Sequence, residues 1–180
     1  MAGDLMAHAG PAPDLDTARL RLRAHRRDDF AQMVAIWSDP DVIRYISGVA
    51  ASAEVTWARL LRYTGHWALL GFGYWAVEEK ASGAFLGEVG LADCQRGLPG
   101  FDGLPEAGWV LAPLAHGKGY ATEAMQAVLG WAASNMAQRH SYCLISPDNA
   151  GSLRLAQKLG YSVAARMPYH GQDSLVLGRG

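Results

Sequence analysis

The chain has 180 residues, half of them apolar, and 16 basic against 17 acidic side chains leave a net charge of −1. That length sets one domain with a real core, and the charge balance excludes the basic surface a nucleic-acid binder needs. Cys94 and Cys143 lack metal-ligand spacing and read as reduced, buried thiols, so no metal is expected and a reducing compartment fits.

The longest apolar stretch, Trp67–Val77, is broken by glycines and shorter than the ~20 residues that span a bilayer. The first residues carry no basic segment followed by an apolar run, so no secretory signal or membrane contact is expected. A cytoplasmic protein follows by default. Met1–Asp14, rich in Ala, Gly and Pro, reads as a mobile tail before a single domain over residues 15–180.

In chain order, Arg19–Arg23 alternates strictly and predicts a strand with one buried face. Asp28–Trp37 has helical spacing through Phe30, Met33, Val34 and Trp37, closed by Ser38-Asp39-Pro40. A short helix is predicted over Val42–Ile46, and Ser52-Ala53-Glu54-Val55 starts a long one reaching about Leu70. Tyr74–Glu78 and Phe85–Ala92 flank a turn at Lys80–Gly83, a hairpin signal. Gln95–Leu104 is a Gly/Pro-rich loop, and Glu106–Ala112 is a strand.

A helix follows over Ala121–Ala137, then a strand at Tyr142–Ile145. Pro147-Asp148-Asn149 opens a further helix that Gly160 ends as a left-handed cap. Tyr161–Arg166 and Ser174–Leu177 are the last strands. The order is mixed α/β rather than a regular βαβ alternation.

The most informative segment is His116-Gly117-Lys118-Gly119-Tyr120-Ala121, between a strand and a helix. Two glycines there let backbone approach a ligand closely and leave the first helix amides uncommitted. With the positive end of the helix dipole, those amides suit a phosphate or pyrophosphate. The Walker A pattern fails, because Ala112 stands five before Gly117 and Gly119 follows Lys118 where Ser or Thr is needed. The dinucleotide fingerprint fails too: Thr122 stands at the third small position, and the acidic residue expected ~20 positions on is missing.

Gly117-x-Gly119, followed by Asn149-x-x-Ser152 and Lys158-Leu159-Gly160-Tyr161, resembles the GNAT N-acetyltransferase superfamily. Thr17–Arg23, Trp75-Ala76-Val77 and Gly87-Glu88-Val89-Gly90-Leu91 look like its RimJ/RimL branch of ribosomal-protein N-terminal acetyltransferases. The resemblance covers roughly Thr17 to Leu177 and rests on the order and spacing of its pieces. One departure stands out. The superfamily signature begins with Arg or Gln, where this chain has Leu114.

The resemblance implies an α/β (α+β) fold. Its sheet would be mixed, mostly antiparallel and twisted, with about six to seven strands and about four helices. Acetyl-CoA would lie in a V-shaped split between two central parallel strands, here Glu106–Ala112 and Tyr142–Ile145. Backbone of Val110 and Leu111 would pair with the pantetheine arm. Amides from His116 through Gly117, Lys118, Gly119 and Tyr120 to Ala121 would hold the pyrophosphate, and Asn149 and Ser152 would complete the cofactor site. Lys118 is either a phosphate contact or a solvated loop lysine; Asn149 is a pantetheine contact, an N-cap, or both. His116 reads as an amide donor before a catalytic imidazole.

The implied reaction is acetyl transfer from acetyl-CoA to an amine, on a protein N-terminus or a small molecule, by a monomer or homodimer. A free α-amine, with a pKa of ~7.7–8.0, is already partly neutral near pH 7 and demands little of a base. The family's usual acid tyrosine falls at Ala156, and a carboxylate carried by some relatives falls at Leu144. Ser152 is the substitute acid or an ordinary first-turn serine; Glu88 and Glu106 are the candidate bases or strand residues paired with cations. A non-catalytic acyl-CoA-binding module is the second reading, and a nucleotide-binding domain the third.

Overall fold

A computed structural model describes residues 10–180 of the chain. Its backbone is one eight-stranded sheet in the order β1-β2-β3-β4-β5-β6-β8-β7. The strands are β1 Leu15–Asp16, β2 Leu20–Arg23, β3 Tyr74–Glu79, β4 Phe85–Ala92, β5 Glu106–Leu111, β6 Ser141–Ile145, β7 Ser162–Tyr169 and β8 Gln172–Arg179. Every neighbouring pair is antiparallel except β5–β6. The helices are α1 Phe30–Ser38, α2 Pro40–Ile43, α3 Ala53–Leu70, α4 Tyr120–Asn135 and α5 Ala150–Lys158.

Local chemistry sets these boundaries. The Ser52 hydroxyl accepts the Val55 amide at 3.2 Å and starts α3, which ends at Gly71 with φ +71°. Asn149 caps α5 by accepting the Ser152 amide at 3.0 Å, and Gly160 turns the chain away at φ +87°. In β2 the alternation buries Leu20 and Leu22 and leaves Arg21 outside.

The sheet has two differently covered faces. Leu22, Trp75, Val89, Leu91 and Ala107 belong to the larger core, with Met125 and Val128 of α4 and Leu155 of α5. Ala76, Phe85 and Val110 face the other way and join Met33 and Trp37 of α1 and Leu60 and Tyr63 of α3. Toward β7 that second face loses its helices. Leu98 and Phe101 of the 95–104 loop cover Tyr142 and Val176 instead.

Four expectations are corrected. Strands number eight among the described residues, because β1 is only two residues long and too short for periodicity to reveal. Helix α2 starts at Pro40, with Asp39 as its cap, rather than at Val42. The β7–β8 hairpin runs longer than predicted, past Pro168 to Tyr169 on one strand and from Gln172 on the other. The proposed tail falls largely on residues 1–9, outside the described residues, yet its end is anchored. Ala12 is 5% exposed, and the Trp75 indole donates to the Pro13 carbonyl at 2.7 Å.

Candidate active site

Strands β5 and β6 run parallel but share one register pair, Glu106 with Tyr142, secured by the Tyr142 amide donating to Pro105 O at 3.1 Å. Beyond that rung they part. The Ala112 amide donates to Leu86 O at 2.8 Å, on the β4 side. Antiparallel bonding alternates along a strand, so Gly108 and Val110 exchange their bonds with β4, while Trp109 and Leu111 turn their amides to the open split. The expectation that Val110 offers its backbone to a ligand is therefore corrected; its side chain lines the cleft and its main chain belongs to the sheet. Leu111 keeps its amide for the split, and its carbonyl accepts His116 Nε2 at 2.8 Å.

The glycine turn sits at the mouth of this split. Gly117 and Gly119 have φ of +73° and +78°, and a Cβ on Gly117 would meet nothing within 4 Å. Glycine is there for conformation. The His116 amide is spent on Pro113 O at 3.0 Å, which removes it from the predicted cradle. Among the described residues, the amides of Gly117, Lys118, Gly119, Tyr120, Ala121 and Thr122 make no hydrogen bond, and the Glu123 amide is the first to return to the helix, on Gly119 O. Six free donors at a helix start suit a polyanion.

A cleft of about 1030 Å3 joins this cradle to the opposite face of the sheet. On the cradle side Asn149, Ser152, Arg154 and Lys158 line it. Ser152 Oγ accepts Trp109 Nε1 at 3.1 Å, which leaves its own hydrogen uncommitted. Lys118 is exposed and absent from the lining; its carbonyl accepts Arg19 at 2.9 Å.

On the other side the wall is aromatic. Tyr63 and Tyr74 stack at 4.6 Å and 8°. Tyr74 pairs in register with Gly90, which pairs with Gly108. A Cβ on Gly108 would stand 1.8 Å from the Tyr74 hydroxyl, so Gly108 makes room for the end of that ring, while a Cβ on Gly90 would meet the backbone of Gly73 and Tyr74 at 2.4 and 2.5 Å. Burial, with Glu88 close to Tyr63 and Glu106 close to Tyr74, pushes both phenols well above their ordinary pKa, and both stay protonated.

Glu88 is 1% exposed and stands behind this wall rather than in it. One of its oxygens accepts Trp37 Nε1 at 2.9 Å and the Tyr63 hydroxyl at 2.6 Å; the other lies 3.7 Å from His25 Nε2. To the two readings of Glu88, candidate base or strand residue paired with a cation, the geometry adds a third role: it fixes the Trp37 and Tyr63 rings, which line the cleft. Glu106 does line the cleft, but Arg96 donates to both its oxygens, and the same guanidinium donates to Tyr169 at 2.6 Å. Burial, with Glu106 nearby, raises the Cys94 thiol to about 11. Among the described residues no cluster of His, Cys, Asp and Glu forms a metal site, and no helix is long and apolar enough to cross a membrane.

Sequence reasoning named Ser152, Asn149, Glu106 and the glycine turn. It missed Tyr63, Arg59, Arg62 and His66 on α3, all of which line the cleft. Their i, i+3, i+4, i+7 spacing was a visible signal: one helix stripe too polar for a core and too aromatic for open solvent.

Residues 19–162 match the family model described as Acetyltransferase (GNAT) domain. The uncharacterized Bacillus subtilis (strain 168) protein YkkB is 32% identical over 151 residues, covering 81% of this chain and 83% of that one. A solved GnaT-family protein from Bordetella pertussis superposes with a TM-score of 0.84 at 32% identity, covering 94% of this chain and all of the other. The structure of yncA from Salmonella typhimurium, solved with its cofactor acetyl-CoA, shares the fold at a TM-score of 0.69 and 23% identity, covering 88% and 92%.

Proposed function

From the premise that the chain belongs to the GNAT acetyltransferase family, we propose that it moves the acetyl group of acetyl-CoA directly to the amine of a protein N-terminus or a small molecule, as a RimJ/RimL-like member. The observation that carries this reading is the run of six free amides, Gly117 to Thr122, at the mouth of a sheet split that one rung holds together. A pyrophosphate fits those donors, and an extended amide-bearing arm fits the unpaired edge at Trp109 and Leu111.

Bound acetyl-CoA supplies a thioester whose carbonyl carbon the amine attacks; the C–S bond breaks, and the sulfur leaves as thiolate and takes up the proton that the nitrogen sheds as the amide forms. This chain's residues hold, orient and donate. The Leu111 amide faces the place where charge gathers on the carbonyl oxygen. The Ser152 hydroxyl, held by Trp109, donates a hydrogen bond to the departing sulfur and keeps its proton. Glu88 acts through Tyr63 and Trp37 as a positioning residue, and Glu106 acts through Arg96. An acceptor that arrives as a neutral α-amine needs no strong base.

The test is thiol release from acetyl-CoA across a panel of amines, beside calorimetry with CoA. Turnover with any amine supports the transferase. CoA binding without turnover on any amine favours instead an acyl-CoA-binding module, a reading that the screened carboxylates of Glu88 and Glu106 lend some weight. Absence of CoA binding sinks both.

A further inference from the structure

The acceptor side of the cleft carries more basic than acidic side chains. Arg59, Arg62 and Arg96 line it, against Asp41 and Glu106. Glu106 is taken on both oxygens by Arg96. Arg59 and Arg62 take part in no ion pair among the described residues. Asp41, in the first turn of α2, forms no ion pair with either among the described residues.

Arg59 is unusual for a surface-helix arginine. Its Nε is buried and has no hydrogen-bond partner. Its guanidinium lies 3.5 Å from the centre of the Trp37 ring. That ring is pinned by the indole bond to Glu88, so the guanidinium rests on a fixed platform and spends little freedom on binding. With Nε buried, the guanidinium meets the cleft through its outer nitrogens, and the cation has no counter-charge there until an anion arrives. Arg62 stands one turn along at the mouth of the cleft, exposed, and Tyr63 and His66 share the stripe. Burial and the nearby Arg62 lower the His66 pKa, so His66 adds no competing charge near neutral pH.

We propose that Arg59 and Arg62 form an acceptor carboxylate site, and that the acetylated amine is a small molecule bearing its own carboxylate. The guanidinium fork matches a carboxylate in two parallel bonds. This inference rests on the acetyl-transfer reading and narrows it.

The experiment measures kcat/KM with acetyl-CoA for the twenty α-amino acids, each beside its carboxamide. Separate arms use O-phosphoethanolamine against ethanolamine, and C-terminally amidated peptides without acidic residues. At least one amino acid is expected to exceed its carboxamide by about tenfold or more, the worth of a charge-assisted hydrogen-bond pair. Arg62→Gln, at an exposed position, and Arg59→Gln should each collapse that ratio several-fold, and Arg59→Lys should keep part of it. Equal rates for acids and carboxamides, or preference for the phosphate or the peptides, overturn the site while leaving the transferase standing. If no amine turns over, calorimetry of the N-acetyl amino acids on the CoA-loaded protein decides. Binding weakened by Arg62→Gln keeps the carboxylate site and removes the transferase; no binding overturns the site.

Discussion

The two halves of the cleft are built on opposite plans. The donor half is local: β5, the glycine turn, α4, β6 and the cap of α5 come from one stretch between Glu106 and Lys158, and most of what it offers is backbone. The acceptor half is assembled from α1, α2, α3, β3, the 95–104 loop and the far hairpin, and what it offers is side chains: Trp37, Tyr63, Tyr74, Arg59, Arg96. Backbone chemistry constrains sequence through glycines and caps; side-chain chemistry constrains it through contacts between distant positions. One half tolerates substitution wherever φ allows, and the other wherever packing allows.

The largest expected effect lies under the acceptor half. Arg23 donates to both Asp29 oxygens, at 2.9 and 2.7 Å, in a pair only 6% and 4% exposed, and this joins β2 to the turn leading into α1. Asp29→Asn leaves the buried guanidinium with Glu78 as its remaining carboxylate, 2.9 Å from Nε, and should cost about 3 kcal/mol in urea melts, the low end for a broken buried pair. Burial works against the Asp29 carboxylate, and the Arg23 guanidinium and the Arg26 amide outweigh it, so its pKa sits below the ordinary value. The pair's contribution is therefore complete above the unfolded-state pKa of about 3.9 and disappears as pH falls through the folded-state value. The variant should lack that acid-side loss.

Next comes Gly108→Ala. Its Cβ claims the space of the Tyr74 hydroxyl, and overpacking of this kind costs about 1–3 kcal/mol. Thermal melting should show the loss, and acceptor KM should rise while CoA affinity moves little. A change confined to CoA affinity would break the division between the halves.

Gly119→Ala tests the donor half alone. A left-handed alanine costs about 1–2 kcal/mol, and with only Arg19 within 4 Å of the new Cβ, at 3.5 Å, the strain is conformational. CoA binding by calorimetry should weaken about tenfold with acceptor KM unchanged. The smallest effect is expected from Ser152→Ala, a fall in kcat of about three- to tenfold, one hydrogen bond's worth. A loss beyond about a hundredfold would mean that Ser152 does more than assist the leaving sulfur.

The same division explains what was legible in the sequence. The glycine turn, the Ser52 and Asn149 caps and the β3–β4 hairpin are encoded within a few residues of themselves, and periodicity and turn chemistry find them. Glu88 shows where that stops. A carboxylate in an apolar strand suggests chemistry, but only the fold reveals that Trp37, 51 residues earlier, and Tyr63, 25 earlier, take its oxygen. The His116 amide and the Val110 main chain were misassigned for a related reason: which way a peptide group faces depends on the neighbouring strand or turn, not on residue type.

The single rung between β5 and β6 has a thermodynamic consequence. Leaf β6–β8–β7 meets the rest of the sheet across a gap that main-chain bonding barely bridges. A bound arm would supply cross-links that the polypeptide does not encode, and mass action then makes the free concentration of that ligand a determinant of folding stability, by about 2.7 kcal/mol at a hundredfold excess over Kd. Amide exchange along β6 would report how full the gap is, making the sheet itself a gauge of its ligand supply.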